Sequence, residues 1–226
     1  MNDLAADVRA LAEARAARIK ALGQERGGRT DRASHWTGLT TVMLGSEFIA
    51  RTLSGNPALL DKLDAAARPS DPKALRQQID DLRGDREEID TALRRIRQEQ
   101  IVLLGWRDLV GKAPLSEVLE TLSTLADAAI DAALKCAHLE LVNRFGQPIG
   151  ENSGKPVQLT VLGLGKLGGR ELNMSSDIDL VFAYRENGST DGTQSISNHE
   201  FFIKLGQALI DILQTPTADG LVFRVD

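Results

Sequence analysis

Gly163-Leu-Gly-Lys-Leu-Gly-Gly-Arg-Glu-Leu-Asn-Met-Ser-Ser-Asp-Ile-Asp-Leu180 sets a glycine-rich turn a few residues ahead of an Asp-x-Asp pair on a predicted strand. A strand turns alternate side chains to one face, so Asp177 and Asp179 point the same way. Two carboxylates side by side on an apolar strand repel each other and are costly to desolvate, and a cation between them offsets both costs. The glycines upstream let backbone N–H groups approach an anion, for which a nucleotide phosphate is the natural candidate. The small and hydroxyl-bearing Gly168, Gly169, Ser175 and Ser176 suit the floor of such a site. A metal beside a phosphate points to phosphoryl or nucleotidyl transfer.

Outward from this stretch, the strand continues Leu180-Val-Phe182, and a second strand, Val157–Leu162, precedes it. Tyr184–Ser195 reads as a polar loop. Ser197-Asn-His-Glu200 has capping-box spacing and opens a helix with Phe201, Phe202, Leu205, Leu209, Ile212 and Leu213 on one face. Thr215–Gly220 is a turn, and Leu221–Asp226 reads as a further strand with Leu221, Phe223 and Val225 inward. Asp226 then becomes a candidate third carboxylate, on the condition that its strand neighbours the first two acids.

The chain before Gly146 has a different texture. Leu115, Val118, Leu119, Leu122, Leu125, Ala129, Ala133 and Leu141 recur at helical spacing after Pro114, and Ile89, Leu93, Ile96, Leu103 and Leu104 form a second stripe. The two are predicted to run antiparallel across the Gly111–Pro114 turn. Earlier helices are predicted at Ser34–Leu53 and Pro57–Ala67, with Gly23–Arg32 a mobile loop and Arg68–Pro72 a linker. The Gly, Pro, Asn and Ser of Gln147–Pro156 mark the boundary between a helical domain, 1–148, and a second domain, 149–226. The expected class is α+β, a helical bundle followed by a mixed sheet.

The formal net charge of -5 speaks against a sequence-blind nucleic-acid binder. The single cysteine, Cys136, excludes an internal disulfide and reads as core filler in a reducing, cytoplasmic setting. Met1–Arg15 lacks the apolar centre of a signal peptide, and no run is long enough to span a bilayer. His35, His138 and His199 share no metal-ligand spacing. Arg94, Arg95 and Arg97 read as a solvated helix face or a contact for an acidic partner, and Arg107–Asp108 as surface. Gly163-x-Gly165-x-x-Gly168 satisfies a dinucleotide fingerprint, the NAD-binding alternative, but the next apolar strand arrives too soon and opens with Asp-Ile-Asp. Lys166 is followed by leucine rather than the Ser or Thr of a phosphate-binding Walker loop.

At these residues the chain resembles the glutamine synthetase adenylyltransferase/adenylyl-removing enzyme family. The Gly-Lys-Leu-Gly-Gly and Ser-Ser-Asp-Ile-Asp segments carry the resemblance, joined by Asn198-His-Glu-Phe-Phe202, Gln214-Thr-Pro-Thr-Ala-Asp-Gly220, Phe223-Arg-Val-Asp226, Ser46-Glu-Phe-Ile49, Asn56-Pro-Ala-Leu-Leu60 and Trp106-Arg-Asp-Leu109. The resemblance implies an incomplete nucleotidyltransferase domain of the DNA polymerase β type, from the half of a bifunctional enzyme that removes adenylyl groups. It implies Mg²⁺ on Asp177, Asp179 and Asp226 as catalytic acids, with Gly168, Gly169 and Ser176 at the nucleotide phosphates. Lys166 either adds positive charge there or faces solvent. The implied activity, part of nitrogen regulation, uses inorganic phosphate to cleave adenylyl-tyrosine on glutamine synthetase and releases ADP, while the other half of the enzyme uses ATP. The PII signalling protein and glutamine set the direction. The family continues past the position of Asp226, so the resemblance also implies a fragment, with an inert module that only binds glutamine synthetase or PII as the alternative.

Overall fold

The computed structural model of the chain describes residues 2–25, 38–63 and 65–226. It divides into two compact units, Met1–Ser70 with Gln98–Val118, and Asp71–Arg97 with Leu119–Asp226. Two long helices each contribute residues to both units, and the strands all follow the second of these helices.

In the first unit, helix α1 (Asn2–Glu25) turns Ala12, Ala16 and Ile19 inward, spaced four and three residues apart on one helical face. They join a core with Leu39, Val42, Met43, Ile49, Leu53, Val102 and Trp106. The predicted helix at Ser34–Leu53 is two helices, α2 (Leu39–Gly45) and α3 (Glu47–Gly55). Ser46 separates them by adopting an extended conformation in which its Oγ accepts the Ile49 N–H at 3.2 Å. The start of that prediction, with His35, and most of the Gly23–Arg32 loop lie outside the described residues. Pro57–Ala67 forms short 3₁₀ turns at Pro57–Lys62 and Ala65–Ala67 rather than an α-helix.

Helix α4 (Pro72–Asp80) starts on Asp71, whose carboxylate accepts the Lys73 and Ala74 N–H groups, with Pro72 at the first helical position. The two predicted stripes form α5 (Arg86–Leu109) and α6 (Leu115–Phe145). Arg107 near the end of α5 pairs with Glu117 at the start of α6, and Arg86 near the start of α5 pairs with Glu140 near the end of α6, which is antiparallel order. Arg107 is buried, against the expectation of a surface position, because Glu117 and two backbone carbonyls, Ala66 and Lys112, receive its guanidinium. No helix among the described residues is long and apolar enough to cross a membrane.

The second unit adds four short strands, giving an α+β chain. Strand β1 (Pro148–Gly150) pairs antiparallel with β4 (Gly188–Thr190), and β2 (Leu159–Gly163) with β3 (Leu180–Tyr184). Strands β1 and β4 fall inside segments predicted as a linker and a loop. Each has three residues and no apolar alternation to mark it, and buried Asn198 ties them down by donating to the Ile149 carbonyl at 3.0 Å. Helix α8 (Asn198–Gln214; α7 is described below) is capped by Ser197 and buries the six predicted apolar residues. The predicted strand at Leu221–Asp226 is reduced to one parallel bridge, Ile178 with Val225. Its first half bends because the Leu213 carbonyl at the end of α8 accepts both the Val222 and Phe223 N–H groups at 2.9 Å. Val222 and Phe223 are therefore both buried, which breaks the predicted alternation.

Candidate functional site

Strands β2 and β3 align Gly163 with Leu180 and Leu159 with Tyr184, and everything from Leu164 to Asp179 is the connection between them. The Leu164 N–H donates to the Asp179 carbonyl at 2.9 Å and closes its base. The connection opens with a four-residue helix, α7 (Gly165–Gly168), and hangs on buried Leu167 and Leu172. Antiparallel strands joined by so short a helix are not a dinucleotide-binding βαβ unit, which needs parallel strands and a full crossover helix.

The glycines serve the turn itself. Gly165 has φ +52°, and a Cβ there would lie 2.4 Å from the Asp179 Oδ2. A Cβ on Gly168 would meet the Gly163 carbonyl oxygen at 2.6 Å. The Gly168 and Gly169 N–H groups donate to the Leu164 and Gly165 carbonyls at 2.9 and 3.0 Å, so both are engaged within the turn. Gly165→Val is therefore expected to destabilise the chain by at least the ~1–2 kcal/mol that a left-handed conformation costs an L-residue, and to displace the Asp179 carboxylate. Gly169→Ala, where the nearest atoms are 3.5 Å or more from the new methyl, is expected to stay within about 0.5 kcal/mol of the parent. Urea unfolding of the two variants checks the contrast.

Three residues that organise the site escaped the sequence reading. Asn173 gathers the serines: its Oδ1 accepts the Ser175 N–H and both serine hydroxyls, while its N–H donates to the Ser176 Oγ at 3.1 Å. Arg170, at φ +56°, ends the turn and pairs with Glu120 at 2.8 Å and Asp127 at 3.0 Å on α6. The Arg170 guanidinium holds the Glu120 carboxyl below its ordinary range. Arg224 reaches within 4.0 Å of Asp177 and donates to the Ser175 carbonyl at 3.4 Å. Only the Asn-x-Ser-Ser wording was a possible signal, since asparagine and serine favour such side-chain-closed turns.

The acids are aligned by the backbone. The Ile178 N–H donates to the Arg224 carbonyl, the Asp226 N–H to the Ile178 carbonyl and the Leu180 N–H to the Asp226 carbonyl, all at 3.0 Å. In this register Asp177 and Asp179 flank Ile178 on one segment, while Arg224 and Asp226 flank Val225 on the other. Ile178 is fully buried, so its neighbours turn to the opposite, solvent face. Asp177, Asp179, Arg224 and Asp226 are all exposed. Lys166 is exposed on α7, and Ser176 is half-buried within the Asn173 turn.

Among the described residues no group of three or more His, Cys, Asp or Glu side chains is arranged to hold a metal ion. The donor chemistry nevertheless suits Mg²⁺, a hard cation that commonly takes one or two carboxylates and completes its shell with water and substrate phosphate. Asp177 and Asp179, two carboxylates on one face with Asp226 on the adjoining segment, meet that requirement. Cys136 takes no part: it is half-buried on α6, and burial pushes its thiol up, away from thiolate chemistry.

Fold and site together define an α+β protein with a carboxylate-lined surface bordered by a tight glycine turn. Residues 36–226 match the family model described as Glutamate-ammonia ligase adenylyltransferase, and the chain belongs to that family. Its relatives include proteins named bifunctional glutamine synthetase adenylyltransferase/adenylyl-removing enzyme. The one from Nitrosococcus oceani is 45% identical over 196 residues, covering 83% of this chain and 20% of that protein. That from Chromobacterium violaceum is 55% identical over 140 residues, or 62% and 16%. That from Pseudomonas aeruginosa is 44% identical over 193 residues, or 82% and 20%. The chain thus spans about a fifth of the length of these curated relatives.

Proposed function

We propose that the chain carries out nucleotidyl transfer on glutamine synthetase, and that the reaction is phosphorolysis of adenylyl-tyrosine. A phosphate oxygen attacks the adenylyl phosphorus, the bond from phosphorus to the tyrosine oxygen breaks, and ADP leaves while the tyrosine oxygen gains a proton. Family membership supports the substrate. The observation that carries the chemistry is the parallel pairing of Ile178 with Val225, which sets Asp226 beside the Asp177–Asp179 face. The same pairing, beside the antiparallel β2 and β3, supports reading 149–226 as part of a polymerase β-type nucleotidyltransferase domain with a mixed sheet.

In this reading Asp177, Asp179 and Asp226 would hold Mg²⁺, which when bound neutralises charge on the phosphoryl oxygens and the departing tyrosine oxygen. The chain's own residues supply position. The Asn173 turn fixes Ser175 and Ser176 next to the acids, and the Gly165 turn leaves room for Asp179. Arg224 contributes a guanidinium on the acidic face, complementary to a phosphate. PII and the nucleotide belong to the same proposal as partners.

The second reading, supported by the same family membership, is a chain that binds glutamine synthetase or PII without turnover. Incubating the chain with adenylylated glutamine synthetase, phosphate and Mg²⁺ separates the two. Release of ADP that stops on chelation supports phosphorolysis. Co-sedimentation with glutamine synthetase or PII but no ADP supports the binding module, and the absence of both ADP release and co-sedimentation with either protein refutes both readings.

A further inference from the structure

We propose that Arg94 is a positioning residue, holding the segment that carries Asp226 against the Asp177–Asp179 segment. The idea rests on reading these acids as the site. Arg94 lies on α5, in a basic run that the sequence reads as solvent-facing, yet its side chain is only 1% exposed. A buried guanidinium persists only when its donors are matched. Here Nε donates to the Gly220 carbonyl at 3.0 Å, and Nη1 donates to the Asp90 carbonyl and pairs with the Asp90 carboxylate at 2.9 Å. Nη2 donates to the Thr215 carbonyl at 2.6 Å and the Ile212 carbonyl at 3.3 Å.

The targets are what give this residue its meaning. Ile212 and Thr215 lie at the C-terminal end of α8, where carbonyls lack helical partners, and Gly220 closes the turn that follows. One side chain thus gathers the end of a helix and the far side of the turn that launches the last segment. From Gly220 the chain has six residues to reach Asp226. It is fastened on the way by the Leu213 carbonyl, and at its end by the three hydrogen bonds with Ile178 and Leu180. One turn further along α5, the Arg97 guanidinium stacks 5.8 Å from the Phe223 ring, within the same segment. The basic run and the third acid, unrelated in sequence, are two ends of one mechanical connection. Without Arg94 the 215–220 turn loses its shared donor, and the short Asp226 pairing has to hold its register alone.

Hydrogen exchange of Arg94→Met in the 226-residue chain tests this, with Arg94→Lys as the milder variant should methionine prevent folding. The expected result is exchange at least tenfold faster at the Ile178, Leu180 and Asp226 amides, with the β2 and β3 amides that pair with each other unchanged. Mn²⁺ binding to the chain is read alongside, as a second measurement. Arg94→Met is expected to weaken it by about 10–100-fold, the range typical of residues that orient metal ligands, and to add nothing in an Asp226→Asn background. Exchange that rises uniformly, or not at all, overturns the proposal. If Asp226→Asn leaves Mn²⁺ binding unchanged while the exchange pattern is local, the metal reading fails and the positioning role stands.

Discussion

Replacing Arg107 with methionine is expected to lower the unfolding free energy by about 3–5 kcal/mol, a large share of the ~5–15 kcal/mol of an ordinary domain. The reason is what remains behind. Arg107 meets Glu117 through two parallel contacts, Nε to Oε1 at 2.8 Å and Nη2 to Oε2 at 2.9 Å, with side chains 5% and 9% exposed. It also donates to the Ala66 and Lys112 carbonyls, and Glu117 accepts the Ser70 N–H at 2.8 Å. The pair therefore joins α5, α6 and the segment leading to α4. Methionine fills similar volume but leaves a buried carboxylate with one backbone donor. Urea denaturation of Arg107→Met, set against the double variant Arg107→Met/Glu117→Leu, distinguishes a stranded charge from lost packing. Removal of both charges is expected to recover most of the loss, and a double variant as unstable as the single one would refute the stranded-charge account.

The same pair sets a pH dependence. The Arg107 guanidinium, ahead of the Ser70 contacts, holds the Glu117 carboxyl below its ordinary value of 4.5, against the opposing pull of burial. The folded chain binds fewer protons at this group than the unfolded chain, so the stabilisation is complete above the unfolded value and disappears as pH falls through the folded one.

How far the sequence led can be seen residue by residue. Helix α8 was legible because its cap, its apolar face and its end all lie within one contiguous segment. Asp177 and Asp179 were legible as a pair because strand alternation is local, and Asp226 became their neighbour only through a pairing across some fifty residues. The bend at Val222 and Phe223 was not legible, since it depends on one helix-end carbonyl receiving two donors. Strands β1 and β4 were hidden for a related reason, as three residues carry no periodicity. Arg94 and Arg107 show the sharpest difference. A charged residue on a helix reads as solvent-facing unless the carbonyls that receive it are known, and those carbonyls lie up to 126 positions away. Ser46 and Asn173 show the converse: their hydrogen bonds are local, but the residue types are common enough that only the backbone angles reveal their use.

On the proposed phosphorolysis, Asp177→Asn is expected to reduce Mg²⁺-dependent ADP release from adenylylated glutamine synthetase by on the order of 10³-fold, the several kcal/mol that a metal contributes to phosphoryl transfer. Asparagine keeps the size of aspartate and removes its charge. The folding cost is expected to be small, because Asp177 and its partner Arg224 are 51% and 65% exposed at 4.0 Å, and exposed ion pairs contribute about 0–1 kcal/mol. A large loss of rate with an unchanged unfolding midpoint is thus the signature of a chemical role. Asp211→Asn, an exposed carboxylate on α8 outside the acidic face, is the charge-matched control and is expected to retain the parent rate. Asp226→Asn is expected to resemble Asp177→Asn in rate, because the register that aligns it with Asp179 uses its backbone, which the substitution leaves intact. Parent-like turnover in both Asp177→Asn and Asp226→Asn would remove the carboxylates from the mechanism. Loss in Asp177→Asn alone would confine the chemistry to the Asp177–Asp179 segment and leave Asp226 as a structural edge residue.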